Sequence, residues 1–247
     1  MPAPATEVDD LRLDIARACR ILAHEGLAAG VLGHVSVRIG EDRILMRCRG
    51  PREQGLLFTT PDDVRELPLS ATATATDGYS PPNELPLHTE VLRHRPAVTA
   101  VVHAHPPAVV AAGLAGVELR PVLGAFNIPA TRLAADGIPT YPRGVLIRTA
   151  ALAEEMLAAM GDRPVCLLRA HGIVTTGESV AQAIARALQI DELARMCLDV
   201  ARCGGKPADI PAEDLAELPD LGGAFNDGLT WTHHLARLRH AGADVQQ

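Results

Sequence analysis

The fold is decided by the stretch Val101–Gly113, VVHAHPPAVVAAG, in which a short apolar run meets two histidines and then two prolines. With the residues before it, VTAVVHAH over 98–105 predicts a buried strand. Proline cannot donate a ladder hydrogen bond, so the proline pair ends the strand at once. The next residues, PAVVAAGLAG over 107–116, predict a helix of small residues. The chain therefore leaves a strand with two imidazoles at its end and turns directly into a helix.

These two histidines can share a ligand. Side chains two apart in a strand face the same side, with Cα atoms roughly 6.6–7 Å apart, so His103 and His105 project together while Ala104 faces the core. One interpretation is that both imidazoles bind a metal ion; the other is that they bond carbonyls or water at a strand end. The stretch LLRAHGIVTTG also ends an apolar strand with a histidine, His171, before a glycine turn. Three histidines leave an open coordination position, as in catalytic zinc sites.

A general base is predicted beside these histidines. The segment PNELPLHTEVLRHRP over 82–96 predicts a short helix that begins at Asn83 as its N-cap and runs into the histidine-bearing strand. Glu84, in the first turn, can bind the ion or move protons beside it, and His88 lies one turn away, where it can orient Glu84. Glu90 is the alternative base, but its mid-helix position indicates a solvated side chain. The other histidines are interpreted as surface or capping residues: His24, His88, His94, His233, His234 and His240.

Elsewhere along the chain, helical and alternating patterns indicate a sheet between helices. Strands are predicted over 34–39, 43–47, 55–60 and on both sides of a glycine turn within 164–177. Helices are predicted over 8–29, 149–161, 178–205 and about 229–240. The stretch 69–83 is interpreted either as an edge strand or as a loop. No repeat or linker divides the chain, so the sequence predicts one α/β domain with a central mixed sheet covered by helices on both faces.

Composition narrows the function classes. The 247 residues are 47% hydrophobic and 21% charged, as in a globular protein with a full core. The net charge of −7 disfavours nucleic acid as a partner, and no apolar run is long enough to span a bilayer. The acidic start MPAPATEVDD lacks a signal segment, and five cysteines without a C-x-x-C pair indicate reduced thiols, so a cytoplasmic location is predicted. The only lysine, Lys206, lies in a Gly/Pro-rich turn, which disfavours Schiff-base chemistry.

In this order and spacing, the motifs resemble those of the class II aldolase/adducin family. The matching stretches are GHVSVR, FTTPDDV, NELPLHTEVLRHRPAVTAVVHAHP and LLRAHGIVTTGESVAQA. The resemblance implies a three-layer α/β/α fold and a homotetramer with the active site near a subunit boundary. It also implies that His103, His105 and His171 bind a divalent metal ion, usually zinc, and that Glu84 is the catalytic acid/base. Manganese, cobalt or iron suit the same ligands.

The resemblance also sets the domain boundaries and reveals departures from the sugar-phosphate members of the family. One family-like domain is predicted over 1–247, with 206–247 as a C-terminal extension or lid. The family's Gly-Asn segment corresponds to one with His34, its Thr-Gly turn to Thr59–Asp62, and its Ser-Ser pair before the glutamate to Pro82-Asn83. Hydroxyl donors are thus replaced by a proline and an amide, and the acidic residues nearby would repel a phosphate dianion. The substrate is predicted to lack a phosphate group.

Decarboxylation and retro-aldol cleavage leave the same enolate, which a divalent ion held by adjacent substrate oxygens stabilises. The departures resemble the family branch that decarboxylates hydroxylated aromatic or pyridine dicarboxylates. The predicted function is therefore a metal-dependent carbon–carbon lyase that decarboxylates a hydroxy-aromatic dicarboxylate. The alternatives are an aldolase or epimerase acting on a sugar phosphate or hydroxy-keto acid, and a non-catalytic, adducin-like interaction module. The predicted substrate contacts are His34, Ser36, Thr60, Asn83 and Phe126, with Arg38 as a candidate partner for a carboxylate.

Overall fold

The computed structural model describes residues 5–70 and 77–245. Within them the strands are β1 His34–Ile39, β2 Arg43–Arg47, β3 Val64–Pro68, β4 Ala100–Ala104, β5 Thr140–Tyr141, β6 Val165–Leu168 and β7 Gly172–Gly177. They form a seven-stranded sheet in the order β3-β2-β1-β4-β7-β6-β5. Neighbouring strands are antiparallel except β5 and β6, which are parallel. The predicted mixed sheet is therefore confirmed.

Helices cover both faces of the sheet. Those of the described residues are α1 Ala5–His24, α2 Leu85–His94, α3 Pro107–Ala115, α4 Ile128–Ala134, α5 Ala150–Met160, α6 Val180–Arg202, α7 Ala212–Glu217 and α8 Thr230–His240. One apolar cluster joins the sheet to α1, α3, α4, α6 and α8, and a second joins the opposite face to α2 and α5. The predicted three-layer α/β/α fold is confirmed. None of the described helices combines the length and apolarity needed to cross a bilayer.

Strand β4 lies at the centre of this sheet, and all five of its residues are buried. Val102 and Ala104 pack in the cluster with α1 and α6, as predicted, whereas Val101 packs in the cluster with α2 and α5. The two histidines therefore lie at the carboxyl end of a central strand, rather than along an exposed side of the sheet.

Local signals set the helix ends. Thr149 and Ser179 precede α5 and α6, and each accepts a hydrogen bond from the backbone N–H three residues later, which satisfies a donor that the helix leaves unpaired. Helix α1 ends at His24, five residues before the predicted end. The reason is that Gly26 adopts a φ of +77°, in the left-handed region that stops a helix.

Several short elements differ from the prediction. The predicted strand over 55–60 is a 3₁₀ turn at Leu56–Phe58, and a strand that was not predicted, β3, follows at 64–68. The short elements β5, α4 and α7 were also not predicted. Within 69–83, residues 71–76 lie outside the described residues. The described part of that stretch consists of turns and an isolated bridge from Ser80 to Arg49.

The described part of the C-terminal segment, 206–245, packs on the layer that contains α1 and α6. Its last helix, α8, buries Leu238 completely in the same apolar cluster. Arg20 of α1 donates a hydrogen bond to the carbonyl of Ala243 at 2.7 Å, and Gln182 of α6 donates to Asp227 at 3.0 Å. These contacts anchor the end of the segment to the body of the protein.

Candidate metal centre

Three strands bring the histidines together at one end of the sheet. His103 is the penultimate residue of β4, and it is paired directly with His34, the first residue of β1. On the other side, β7 runs antiparallel to β4, so the turn that precedes β7 lies beside the end of β4. His171 belongs to that turn. His105 follows the strand, and its backbone N–H donates to the carbonyl of Leu27 at 2.9 Å.

Gly172 permits the close approach of the His171 turn to β4. A Cβ atom added at this position would overlap the backbone carbonyl oxygen of Ala104. Backbone atoms cannot move aside as a flexible side chain can, so only glycine fits between these two strand ends. The glycine that follows His171 in the sequence therefore allows His171 to lie at the end of β4.

The predicted site requires the three histidine ligands and the base Glu84 to lie in one place, and the structure brings all four side chains together. Glu84, His103, His105 and His171 each offer one ligand atom, and these atoms lie within 4.8 Å of one another. Nε2 of His103 lies 2.8 Å from Nε2 of His105 and 3.2 Å from Oε2 of Glu84. Oε2 of Glu84 also lies 3.6 Å from Nε2 of His171.

This donor set fits a divalent cation. Nδ1 of His103 lies 2.9 Å from the carbonyl oxygen of Ile173. A carbonyl only accepts hydrogen bonds, so Nδ1 of His103 carries a hydrogen, and Nε2 is the nitrogen that faces the other three side chains. This nitrogen converges with the facing nitrogen of His105 and with a carboxylate oxygen of Glu84. Three histidines with a carboxylate form a typical ligand set for a first-row metal ion.

The local charges support the same conclusion. Burial lowers the pKa of His105 to about 3 and that of His34 to about 4. Burial, followed by the nearby His103, also lowers the pKa of His171. These rings are therefore neutral at pH 7, which is the form of imidazole that binds metal ions.

Glu84 is held by both of its carboxylate oxygens. Oε1 accepts a hydrogen bond from the backbone N–H of Ile147 at 2.9 Å, while Oε2 faces the histidines. Burial on its own raises the pKa of Glu84, but the interactions with His103 and His34 outweigh burial and hold this pKa well below its usual range. Glu84 is therefore ionised at neutral pH. Sequence reasoning gave no signal for the contribution of Ile147, because a backbone donor from a distant loop leaves no pattern.

The prediction that Asn83 is the N-cap of α2 is wrong. Glu84 itself occupies the N-cap position, and its side chain makes no capping hydrogen bond, because the carboxylate is already used by Ile147 and the histidines. Asn83 is exposed, one residue before Glu84. The side chain of Glu90 is also not solvated as predicted: it is buried and bonded to Arg93 at 2.6 Å.

Sequence reasoning underestimated the burial of His88. It was interpreted as a surface or capping residue that could also orient Glu84 from one turn away, but it is completely buried. Its Nε2 lies 2.7 Å from Nδ1 of His34, and its Nδ1 lies 2.7 Å from Oγ of Ser36. The available signal was its position four residues after Glu84 in a helix whose neighbours Leu87 and Val91 are apolar.

The remaining predicted contacts lie in different surroundings. Ser36 is fully buried, and its hydroxyl faces His88 instead of an open site. Thr60 forms a capping box with Asp63 at a 3₁₀ turn. Phe126 is 70% exposed and lines a groove with Phe225. Arg38 lies four residues further along β1 than His34 and donates a hydrogen bond to the carbonyl of Leu92.

The fold and the site together define a class of protein: an α/β/α scaffold with a cluster of three histidines and one glutamate that could hold a metal ion, at the end of its central strand. Residues 13–198 match the model of the family described as "Class II Aldolase and Adducin N-terminal domain". The chain belongs to this family.

Relatives and solved structures refine this assignment. The chain is 58% identical over 231 residues to a 3,4-dihydroxyphthalate decarboxylase from Arthrobacter keyseri, covering 92% of this chain and 93% of that protein. It is 46% identical to a decarboxylase of the same name from Rhodococcus jostii, covering 94% and 97%. An aldolase II superfamily protein from Pseudomonas syringae has the same fold, with a TM-score of 0.79 at 20% identity and coverage of 98% and 96%.

Proposed function

We propose that this protein is a metal-dependent decarboxylase of a dihydroxylated benzene dicarboxylate without a phosphate group. The observation that carries the proposal is the identity of 46% to 58% with dihydroxyphthalate decarboxylases over more than nine-tenths of the chain. The His₃Glu cluster supports it, because such a cluster suits lyase chemistry at a carbon next to a charged oxygen.

Under this proposal, His103, His105 and His171 hold a divalent ion, and we propose zinc. When bound, the ion supplies a Lewis acid for two adjacent substrate oxygens, one phenolic and one from the leaving carboxylate. The ring orientation of His103 is fixed in advance by its hydrogen bond to Ile173. Manganese, cobalt and iron suit the same donors, so metal analysis must accompany every assay.

Glu84 is proposed to move the proton. Its lowered pKa leaves it ionised, so it begins the reaction as a base and takes a proton from a substrate hydroxyl. The bond between the ring carbon and the carboxylate then breaks, carbon dioxide leaves, and the electron pair remains on the ring. Glu84 returns its proton to that ring carbon, and the substrate phenolate is reprotonated by water. The carboxylate is thereby replaced by hydrogen without an oxidant or reductant.

The substrate contacts are proposed to come from two sources. His34 lies beside Glu84 in the same chain, with Nε2 3.7 Å from Oε2. Asn83, which is exposed and precedes Glu84, and Thr60, which is half-buried, are the other proposed contacts. Phe126 is proposed to act across a subunit boundary in a homotetramer, because its ring is 70% exposed and does not lie with the metal ligands. Within one chain, 206–247 is proposed to be an extension or lid of a single domain.

The test is carbon dioxide release by metal-reconstituted protein given 3,4-dihydroxyphthalate. Phthalate without hydroxyls serves as the control, because it lacks the phenolic oxygen and the proton that Glu84 would take. Sugar phosphates are assayed in parallel by mass spectrometry. Carbon dioxide from the dihydroxylated substrate alone supports the proposal, whereas cleavage of a sugar phosphate establishes the aldolase alternative. No turnover and no bound metal would revive the interaction-module alternative.

Glu84→Gln tests the proton transfer directly. The amide keeps the shape of the side chain but cannot take a proton, so kcat should fall by roughly 10²–10⁴-fold. Bound metal should be retained, because the three histidines remain. Full turnover in this variant with normal metal content would remove Glu84 from the proposed role.

A further inference from the structure

A chain of buried polar side chains leads from the interior of the sheet to Glu84. Ser36 of β1 contacts His88 of α2, with 2.7 Å between Oγ and Nδ1. His88 contacts His34, with 2.7 Å between Nε2 and Nδ1. The opposite nitrogen of His34, Nε2, faces Oε2 of Glu84 at 3.7 Å. No other part of the proposed reaction accounts for Ser36 and His88, and neither has any exposed surface.

Both imidazoles of this chain are neutral. His88 is completely buried and His34 is 5% exposed, and burial disfavours the charged form of an imidazole. Each ring therefore carries one hydrogen, on one of its two nitrogens.

The carboxylate of Glu84 fixes the direction of the chain. In one direction, Ser36 donates to Nδ1 of His88, Nε2 of His88 donates to Nδ1 of His34, and Nε2 of His34 presents its hydrogen to Glu84. In the other direction, every hydrogen is reversed, and Nε2 of His34 presents a lone pair to an ionised carboxylate. Only the first direction avoids this repulsion, since a carboxylate accepts hydrogen bonds and cannot donate them.

We propose that Ser36 and His88 are positioning residues that fix His34 as a hydrogen-bond donor through Nε2, aimed at the reacting oxygens beside Glu84. The 3.7 Å separation from Oε2 is longer than a hydrogen bond, so this N–H is available to a nearby anionic oxygen. The chemical class it suits is a carboxylate or phenolate oxygen of the substrate. The identity of this substrate oxygen rests on the proposed function, whereas the direction of the hydrogen-bond chain does not.

The direction can be observed without any substrate. Wild-type protein is loaded with zinc, which is diamagnetic, and its histidines are labelled with ¹⁵N. Long-range proton–nitrogen spectra then report which nitrogen of each ring carries hydrogen, with signals assigned by comparison with His34→Asn and His88→Asn. We expect hydrogen on Nε2 of both His34 and His88. Hydrogen on Nδ1 of either ring, or a doubly protonated ring at pH 7, overturns the proposal.

The kinetic test separates positioning from simple structural support. In Ser36→Ala, the hydroxyl that donates to Nδ1 of His88 is lost, and kcat should fall by roughly 10–100-fold, the usual cost of losing an outer partner of a catalytic group. KM should change by less than about threefold, since the metal ligands that bind the substrate remain. Ser36→Thr restores a hydroxyl and should recover most of kcat. Thr176→Val is the matched control, because it removes a buried hydroxyl that donates to Pro164 on the same sheet.

The outcomes are distinguishable from failure of the proposed function. A wild-type protein that releases no carbon dioxide but carries hydrogen on Nε2 of both rings disproves the proposed substrate and keeps the direction of the chain. Unchanged kcat and unchanged spectra in Ser36→Ala overturn the positioning role. If Ser36→Ala does not fold, the wild-type spectra and the Ser36→Thr variant still decide the question.

Discussion

Glu84 and Glu25 each lie among histidines, yet their surroundings differ in one respect. Glu25 is 3.1 Å from Nδ1 of His24 and 3.1 Å from Nδ1 of His234, and it also contacts Nε of Arg237 at 2.9 Å. Among the described residues, the charged or titratable side chains within 4.0 Å of the Glu84 carboxylate are all histidines. A fixed guanidinium already balances Glu25, whereas the buried charge of Glu84 has no permanent cation beside it in the described residues. This comparison indicates that a metal site is distinguished by histidines that surround a buried carboxylate with no arginine or lysine to balance its charge.

His103→Ala should have the greatest effect, because it disrupts the cluster around Glu84 and leaves the cluster around Glu25 intact. His103→Ala should lose bound metal after dialysis and should lose activity with it, because it removes a ligand. We expect metal affinity to fall by more than the roughly 10–100-fold typical of losing an outer partner of a ligand. His234→Ala, in the Glu25 cluster, is the control and should keep metal and turnover unchanged. Elemental analysis that finds equal metal in both variants would contradict the distinction.

Gly172→Ala tests the close approach of the His171 turn to β4. The Glu25 cluster does not depend on such an approach. The added methyl group would overlap the carbonyl oxygen of Ala104, so the free energy of unfolding should fall by about 3 kcal/mol or more. Bound metal should fall with it, because His171 moves. Gly26→Ala, at an open turn after α1, is a useful comparison, since its cost arises from backbone conformation alone. Denaturant unfolding and metal analysis are carried out on both variants. Wild-type stability and wild-type metal content in Gly172→Ala would contradict the prediction.

The neutral histidines around Glu84 should make stability depend on pH. The pKa of His34 is about 4 in the folded protein, below its usual value of 6.5. The unfolded chain therefore binds the additional proton between these pH values. The stabilising contribution is complete above pH 6.5 and is lost as pH falls towards 4, by up to about 1.4 kcal/mol per pH unit for such a histidine.

Urea unfolding of metal-free protein between pH 7.5 and 4.5 measures this loss without interference from metal release. His34→Asn should show a shallower fall in the free energy of unfolding over the same range. His233→Asn provides the control from the other histidine-rich region. Parallel curves for wild type and His34→Asn would contradict the assignment of His34 as a neutral buried ring.

The smallest effect is expected from the salt bridge of the Glu25 cluster. The side chain of Arg237 is 48% exposed, and a partly exposed ion pair contributes less than about 1 kcal/mol. Arg237→Ala should therefore shift stability only slightly and leave kcat unchanged. If this variant acquires stoichiometric metal at Glu25, then the missing cation alone, without the strand-end geometry, is enough to create a site. Elemental analysis of purified Arg237→Ala measures whether this additional metal is bound.

Much of the site could be predicted because its signals are local. Two residues apart in a strand must face the same side, so the pairing of His103 with His105 was available from the sequence. The glycine after His171 and the order of Glu84, the two strand histidines and His171 also appear directly in the chain. The same holds for β1, in which apolar and polar residues alternate, for β4, which is a short apolar run ended by prolines, and for β7, which follows a glycine turn.

Other features depended on distant parts of the chain. The burial of His88 and Glu90 arises because α2 packs on the sheet with more of its surface than its own sequence pattern indicates. The wrong interpretation of 55–60 has a similar origin: its apolar residues satisfy a 3₁₀ turn whose first N–H, at Leu56, bonds to Gly30. Periodicity cannot distinguish such short apolar runs, because a few residues fit several local structures equally well.

Residue types and local spacing alone predict the candidate ligands, the strand end that carries two of them and the glutamate that precedes it. Three features require the folded chain: His34 lies directly across from His103, Ile147 donates to Glu84, and Ser36 and His88 complete a buried chain behind His34. The physical reason is that ligand chemistry and strand periodicity are properties of neighbouring residues. Hydrogen bonds between residues more than 50 positions apart arise only once the sheet order and the packing of α2 are fixed.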